Sequence, residues 1–311
     1  MRLCLMIEGQ EGVAWDHWVR LARLTEETGL DGLFRSDHYT SIIRPDAGAH
    51  DAWATLAGLA AITERIRLGT MVSPATFRHP SVLARMAVTV DHISGGRVEV
   101  GMGSGWYERE HRAHGFDFPS GKERFELFAE QVEVVVRSWT EERFEHAGPA
   151  YRLTDQRALP RPVQRPHPPL VLGGTVKPRF AALAARFATE VNTLGAPNDE
   201  LRARRAALDR ACAEAGRDPE TLEYSVMTAC FAGETDADVR DRVARFLEVA
   251  GPAGADPDAF LAERRDRWLA GTVDEVATRL DELARVGVTR VFLQHLNHDD
   301  DAHVRLAATL R

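Results

Sequence analysis

The chain has 311 residues, 44% hydrophobic and 28% charged, with a formal net charge of −8. That composition supports a sizeable buried core and excludes a disordered chain, and an acidic balance with no Lys/Arg block along one face argues against nucleic acid as a partner. The opening MRLCLMIEGQ is too short an apolar run for a signal peptide and no stretch reaches a membrane span, while Cys4, Cys212 and Cys230 read as reduced, buried thiols, so a cytoplasmic protein is expected.

Strand and helix signals alternate along the chain. Arg2–Ile7 reads as a strand, Trp15–Thr28 as a helix stopped by Gly29, Gly32–Arg35 as a second strand and 52–62 as a second helix. The run 66–72 is too short for a helix; it meets Ser73-Pro74 and then a helix over Pro80–Ile93 that ends at Ser94-Gly95-Gly96. Residues 97–102 form a fourth strand running into Gly101-Met102-Gly103-Ser104-Gly105-Trp106, where missing side chains would let a flat ligand or a phosphate approach the backbone. A long helix over 122–139 precedes the Pro-rich segment 143–169, which reads as a loop insertion. Strands at 170–172, 190–193, 223–231 and Arg290–Gln294 then alternate with helices at 178–186, 199–215, 236–249 and 273–286, and a charged helical excursion occupies 251–272, as a lid or a surface element. Eight such units predict an α/β fold, a single-domain (β/α)8 TIM barrel over residues 1–311.

Such barrels keep their chemistry at the C-terminal ends of the strands. Those ends read Ser36-Asp37-His38-Tyr39, Met71-Val72-Ser73, Gly103-Ser104-Gly105-Trp106, Gly173-Gly174-Thr175, Asn192 and His295. Asp37-His38 fits an imidazole oriented by a carboxylate for proton transfer, or equally a helix-capping aspartate beside a core histidine. Gly173-Gly174-Thr175 fits a backbone phosphate cradle or a plain tight turn, and Trp106 fits the wall of a flat pocket or a core tryptophan. The runs Glu110, His111, His114 and His295, His298, His303 read as solvated loops, with no metal site expected. No dinucleotide fingerprint, Walker loop or nucleophile elbow is present, which disfavours a nicotinamide or nucleotide-hydrolase site.

In these residues the chain resembles the luciferase-like monooxygenase superfamily, and within it the oxidoreductases that use the deazaflavin coenzyme F420. The resemblance rests on Ser36-Asp37-His38, on Leu68 to Val72 with His79-Pro80, on Asp91 to Arg97, on Gly101-x-Gly103-x-Gly105-Trp106, on Glu110, Gly115 and Arg124, and on Leu172-Gly173-Gly174 with Asn192-Thr193. It implies a tricyclic cofactor, F420 or alternatively FMN, with ring-side contacts at Asp37, His38, Ser73, Gly103, Ser104 and Gly105. Phosphate-side contacts would fall at Gly173, Gly174, Thr175, Val176 and Lys177, with Asn192 nearby, and a non-prolyl cis peptide at Met71-Val72. It also implies a homodimer. Trp106 stands where the sugar-phosphate dehydrogenases of the branch place a glutamate base, which argues against sugar-phosphate oxidation, and Thr189-Glu190-Val191-Asn192 departs from the branch's Asp-Glu-Trp-Asn. The expected activity is hydride transfer between the deazaflavin and a small organic substrate, with His38 moving the proton and Trp106 lining the substrate side. An FMN-dependent two-component monooxygenase and a non-catalytic flavin-binding barrel are the other readings.

Overall fold

The computed structural model describes residues 1–44, 46–252 and 254–310, so position 253 of the expected 251–272 excursion and the last residue of the expected domain lie outside the described residues. In chain order the first half comprises β1 (Arg2–Ile7), α1 (Trp15–Thr28), β2 (Gly32–Arg35), α2 (Ala52–Ala60), β3 (Arg67–Thr70), β4 (Ser73–Pro74), α3 (Pro80–Ile93), β5 (Val98–Gly103), α4 (Glu108–His114) and α5 (Gly121–Thr140). The second half comprises β6 (Arg143–Ala147), β7 (Arg152–Arg157), β8 (Leu170–Gly173), α6 (Pro178–Phe187), β9 (Glu190–Leu194), α7 (Asn198–Glu214), β10 (Glu223–Gly233), α8 (Asp236–Ala250), α9 (Pro257–Ala262), β11 (Leu269–Thr272), α10 (Val273–Arg285), β12 (Arg290–Gln294) and α11 (Asp301–Ala308). β1, β2, β3, β5, β8, β9, β10 and β12 pair parallel in that order, and β12 pairs with β1 to close the ring. This is the (β/α)8 barrel that the alternation of elements predicts.

Successive strand residues point to opposite faces, and the parity divides the core in two. Leu3, Leu5, Leu33, Val98, Leu170, Val191, Val291 and Leu293 face outward and bury themselves against the helices in one large cluster. Cys4, Met6, Phe34, Met71, Val171 and Phe292 form a separate cluster inside the ring. Beneath this apolar layer, at the N-terminal ends of the strands, the buried Arg290 guanidinium bonds Glu99 at 2.7 Å and Glu190, and Arg67 Nε donates to Glu99 at 2.8 Å. Arg290 also lies over the rings of Phe34 and Phe292, at 5.3 and 4.7 Å.

Two segments differ from expectation. The 143–169 stretch contains an antiparallel hairpin, β6 with β7, whose Phe144 and Leu153 pack on Val134 of α5. Its prolines fall in the turn or after the second strand, so the loop reading holds only for the part beyond Arg157. Among its described residues the 251–272 stretch is helical only in the short α9; β11 then pairs with the C-terminal half of β10, and Phe260 and Trp268 pack with Phe231 and Phe246 as a satellite core outside the barrel.

Removing the cation while leaving both carboxylates buried is the costly direction for an ion cluster of this kind. We expect Arg290→Met to destabilise the fold by about 3–5 kcal/mol, read as a lower urea midpoint at constant m-value. A loss below about 1 kcal/mol would mean that Arg67 alone suffices to hold the two acids.

Candidate active site

Beyond β2 the chain carries Ser36, Asp37 and His38 into the barrel mouth. Asp37 is 1% exposed and does not orient His38. Its oxygens accept from Arg78 at 2.5 and 3.1 Å and from Ser73 Oγ at 2.6 Å. The carboxylate on His38 is Glu110 of α4, with Oε2 2.7 Å from Nδ1, while Oε1 accepts the backbone N–H groups of Tyr39 and, at 2.9 Å, Thr40. The expected Asp37-His38 pair is therefore replaced by a Glu110-His38 pair. No local spacing could reveal it, because the partners are 72 residues apart.

Burial by itself would lower the His38 pKa, but the hydrogen bond and charge of Glu110 outweigh it, with Glu8 and Asp37 adding to the rise, so the imidazole is held above its ordinary value of 6.5. Burial works against the Glu110 carboxylate as well. The bond and charge of His38, together with the N–H groups of Thr40 and Tyr39, still hold it below the usual carboxylate value. An ionised carboxylate only accepts, so Nδ1 donates to it and Nε2 is the ring atom left for a ligand.

Three of the strand-end glycines are required by the packing of the chain itself. The Met71–Val72 peptide bond is cis, as the resemblance implies. A Cβ at Gly103 would stand 2.7 Å from Val72 Cγ2, one at Gly173 2.9 Å from Val72 Cγ1, and one at Gly101 would collide with the Thr70 carbonyl oxygen. Gly101, Gly103 and Gly173 thus form a notch that seats Val72. The bare backbone accommodates a side chain of the protein first, and Val72 in turn presents itself to the cavity above.

Two adjoining cavities open at the C-terminal ends of the strands. The first, of about 500 Å³, is lined by His38, Met71, Val72, Gly105, Trp106 and Asn192 among others. The second, of about 590 Å³, is lined by Ser104, Lys122, Phe125, Phe128, Lys177 and Arg179 among others. Both are lined by Gly173, Gly174 and Thr175, which form the wall between them. Of the residues the sequence nominates, Asp37, Ser73 and Gly103 are buried behind the cavity walls, and Val176 packs on the outer core instead of entering either space. The residues sequence reasoning misses are Glu8, Gln294, Arg204, Lys122 and Arg179, all brought in from separate elements, while Glu110, one of the residues of the resemblance, gains its role only from its contact with His38.

Within the histidine runs, His111, His295 and His303 are buried, contrary to their reading as solvated loops, whereas His114 is exposed and His298 half-buried. His111 bonds Thr76 Oγ1 at 2.7 Å, and the Nδ1 atoms of His295 and His303 are 3.2 Å apart in the interior. Burial lowers the His303 pKa to about 4 and that of His295 well below 6.5. Among the described residues no group of three or more His, Cys, Asp or Glu side chains could hold a metal ion, and no helix is long and apolar enough to cross a membrane.

The sequence profile of luciferase-like monooxygenases matches residues 4–290. The chain belongs to that family. It is 26% identical over 320 aligned positions to the FMNH2-dependent dimethylsulfone monooxygenase of Pseudomonas putida, covering 94% of this chain and 86% of that protein. It is 32% identical over 203 positions to the F420-dependent glucose-6-phosphate dehydrogenase of Microbacterium testaceum, covering 64% of this chain and 59% of the dehydrogenase. Several dehydrogenases of that name match over only about half of their length. The structure superposes on monooxygenase RslO1 from Streptomyces bottropensis with a TM-score of 0.85 at 27% identity, covering 99% of this chain and 98% of that one. An F420-dependent secondary alcohol dehydrogenase shares the fold, with a TM-score of 0.84 at 18% identity over 100% of this chain and 98% of that one. The family therefore includes users of either cofactor among the relatives of this chain.

A raised histidine pKa contributes stability that is present at low pH and lost as pH rises through it; a depressed carboxylate pKa contributes stability lost as pH falls through it. The His38-Glu110 pair is thus most stabilising between the lowered Glu110 value and the raised His38 value. Glu110→Gln should lower the His38 pKa, measured by NMR titration of its ring protons. An unmoved titration would remove Glu110 as the residue that positions His38.

Proposed function

We propose that the protein is an F420-dependent oxidoreductase that moves a hydride between the deazaflavin and a small organic substrate. The observation that carries this reading is the second cavity. It continues past the Gly173-Thr175 turn and is lined by Lys122, Lys177 and Arg179, beside the N-terminus of α6, which has no side-chain cap. Unpaired N–H groups and the helix dipole favour an anion there. Neither Lys122 nor Lys177 makes an ion pair among the described residues, so both charges are available to a ligand. FMN ends at one phosphate, whereas the deazaflavin tail continues beyond its phosphate into further carboxylates, which suits the two unpaired lysines spread along an extended space, with Arg179, 3.5 Å from Glu126, beside them.

When bound, the deazaflavin supplies or accepts the hydride. The chain's own residues do the rest. Gly173, Gly174, Thr175 and Lys177 would hold the phosphate, and Val72, supported by its glycine notch, would back the ring. Glu110 fixes the His38 tautomer so that Nε2 can pass the accompanying proton to or from the substrate. Trp106, edge-on to His38 with ring centroids 5.8 Å apart and stacked on Tyr107 at 5.2 Å, shields the substrate side from water. The second reading, a two-component monooxygenase using reduced FMN, is favoured by the Pseudomonas relative that spans 94% of the chain.

Fluorescence titration of the protein with F420 and with FMN separates the two. We expect tighter binding of F420, and the double change Lys122→Ala with Lys177→Ala should weaken it by about tenfold or more, near 1.4 kcal/mol, with a smaller effect on FMN. Preference for FMN would move the assignment to the monooxygenase. With a substrate in hand, His38→Ala should lower kcat by about 10²- to 10⁴-fold.

A further inference from the structure

We infer that the substrate carries a protonated nitrogen that seats on Glu8 and a flat apolar body that lies against Trp106; the inference rests on the oxidoreductase reading of the same cavity. Glu8 directly follows β1 and continues its inward-facing parity after Cys4 and Met6, so its side chain joins the lining of the first cavity. Gln10 Nε2 donates to Oε2 at 2.9 Å and Gln294 Nε2 donates to Oε1. Two amide donors fix the carboxylate without neutralising it. Each oxygen keeps a further lone pair for a donor from the ligand.

The other charged groups lining this cavity are already balanced. His38 is paired with Glu110. Arg204 donates to Glu200 Oε1 at 2.6 Å, to the Leu194 carbonyl at 2.8 Å and to Thr193 Oγ1 at 3.1 Å. Among the described residues lining this cavity, Glu8 is therefore the charge without an oppositely charged partner. Its influence reaches the reacting region, since its charge contributes to the raised His38 pKa. A partly desolvated carboxylate attracts a cation and penalises an incoming phosphate or carboxylate by leaving like charges face to face.

The apolar part of the recognition comes from the rim. Trp106 is 62% exposed and Leu194 63% exposed, and with Ile42 and Met227 they surround the same opening. An exposed indole at the rim of a cavity that also holds a carboxylate suits a flat organic cation through stacking and cation–π attraction. A sugar phosphate has neither the apolar body nor the charge for it. The cations that would receive a phosphate line the other cavity.

The test uses three naphthalene probes matched in shape and differing in charge, namely naphthylmethylamine, naphthylmethanol and naphthoate, titrated by calorimetry at neutral pH into the protein with and without F420. We expect the amine to bind at least about tenfold tighter than naphthoate, Glu8→Gln to abolish that preference, and Glu8→Asp to retain its sign. Trp106→Ala should weaken all three probes while keeping their order. Naphthoate binding as tightly as the amine, or an unchanged preference in Glu8→Gln, overturns the inference. Failure of F420 to bind, with the charge preference intact, would overturn the oxidoreductase reading alone and leave Glu8 as the charge selector.

Discussion

Arg290 is the constraint on which the working end of this barrel depends. Its guanidinium enters from β12 and bonds Glu99 of β5 and Glu190 of β9, so one side chain ties three strands around the closed end. Burial works against the Glu99 carboxylate, but Arg290 and Arg67 outweigh it and keep its pKa low; burial and the charge of Glu99 push Glu190 up despite Arg290. Above this layer the apolar cluster of Cys4, Met6, Phe34, Met71, Val171 and Phe292 fills the ring. Burial there pushes the Cys4 thiol up to about 12, leaving it unreactive at neutral pH. With the closed end plugged by paired charge and the middle by packed side chains, ligand space opens at the level of Glu8, Gly173, Asn192 and Gln294.

The mouth is then fixed from two sides. Arg78 reaches Asp37, the Tyr39 hydroxyl at 2.8 Å and Asp51 Oδ2 at 2.8 Å, which binds the segment after β2 to the N-cap of α2. His38 sits between two residues held by this guanidinium, and Glu110 takes its ring from the opposite side. Asp37 thus acts on the chemistry through backbone placement, while Glu110 acts through the imidazole itself. A bidentate Arg–carboxylate contact buried in this way adds geometric definition as much as energy, which is what a proton-transfer residue requires.

Much of this was legible in the sequence because barrel strands are short apolar runs bounded by turn residues, and their C-terminal ends can be read in order. His38, Trp106 and the Gly173-Gly174-Thr175 turn were found in that way. What stayed hidden is non-local. Glu110 pairs with His38 across 72 residues, and the β6–β7 hairpin is obscured by prolines that lie in its turn or beyond Arg157 and not within its strands. Glu8 was missed for another reason. It carries no local motif, and only the inward parity of Cys4 and Met6 leads to it. The glycines were noticed for the right reason, close approach, but the approaching group is Val72.

Parity and charge together explain how a single mouth can sort two ligands. Lys122, Lys177 and Arg179 stand on one side of the Gly173-Thr175 turn, and Glu8 stands on the other with no cation of the lining left for a second anion. An anionic cofactor tail that strayed into the Glu8 cavity would forfeit its cations and face a carboxylate, so its reversed pose is penalised twice. A cationic substrate entering the lysine-lined cavity meets the mirror penalty. Under the proposed reading, orientation of the cofactor and choice of the substrate are two outcomes of one charge separation, imposed across a turn of three residues.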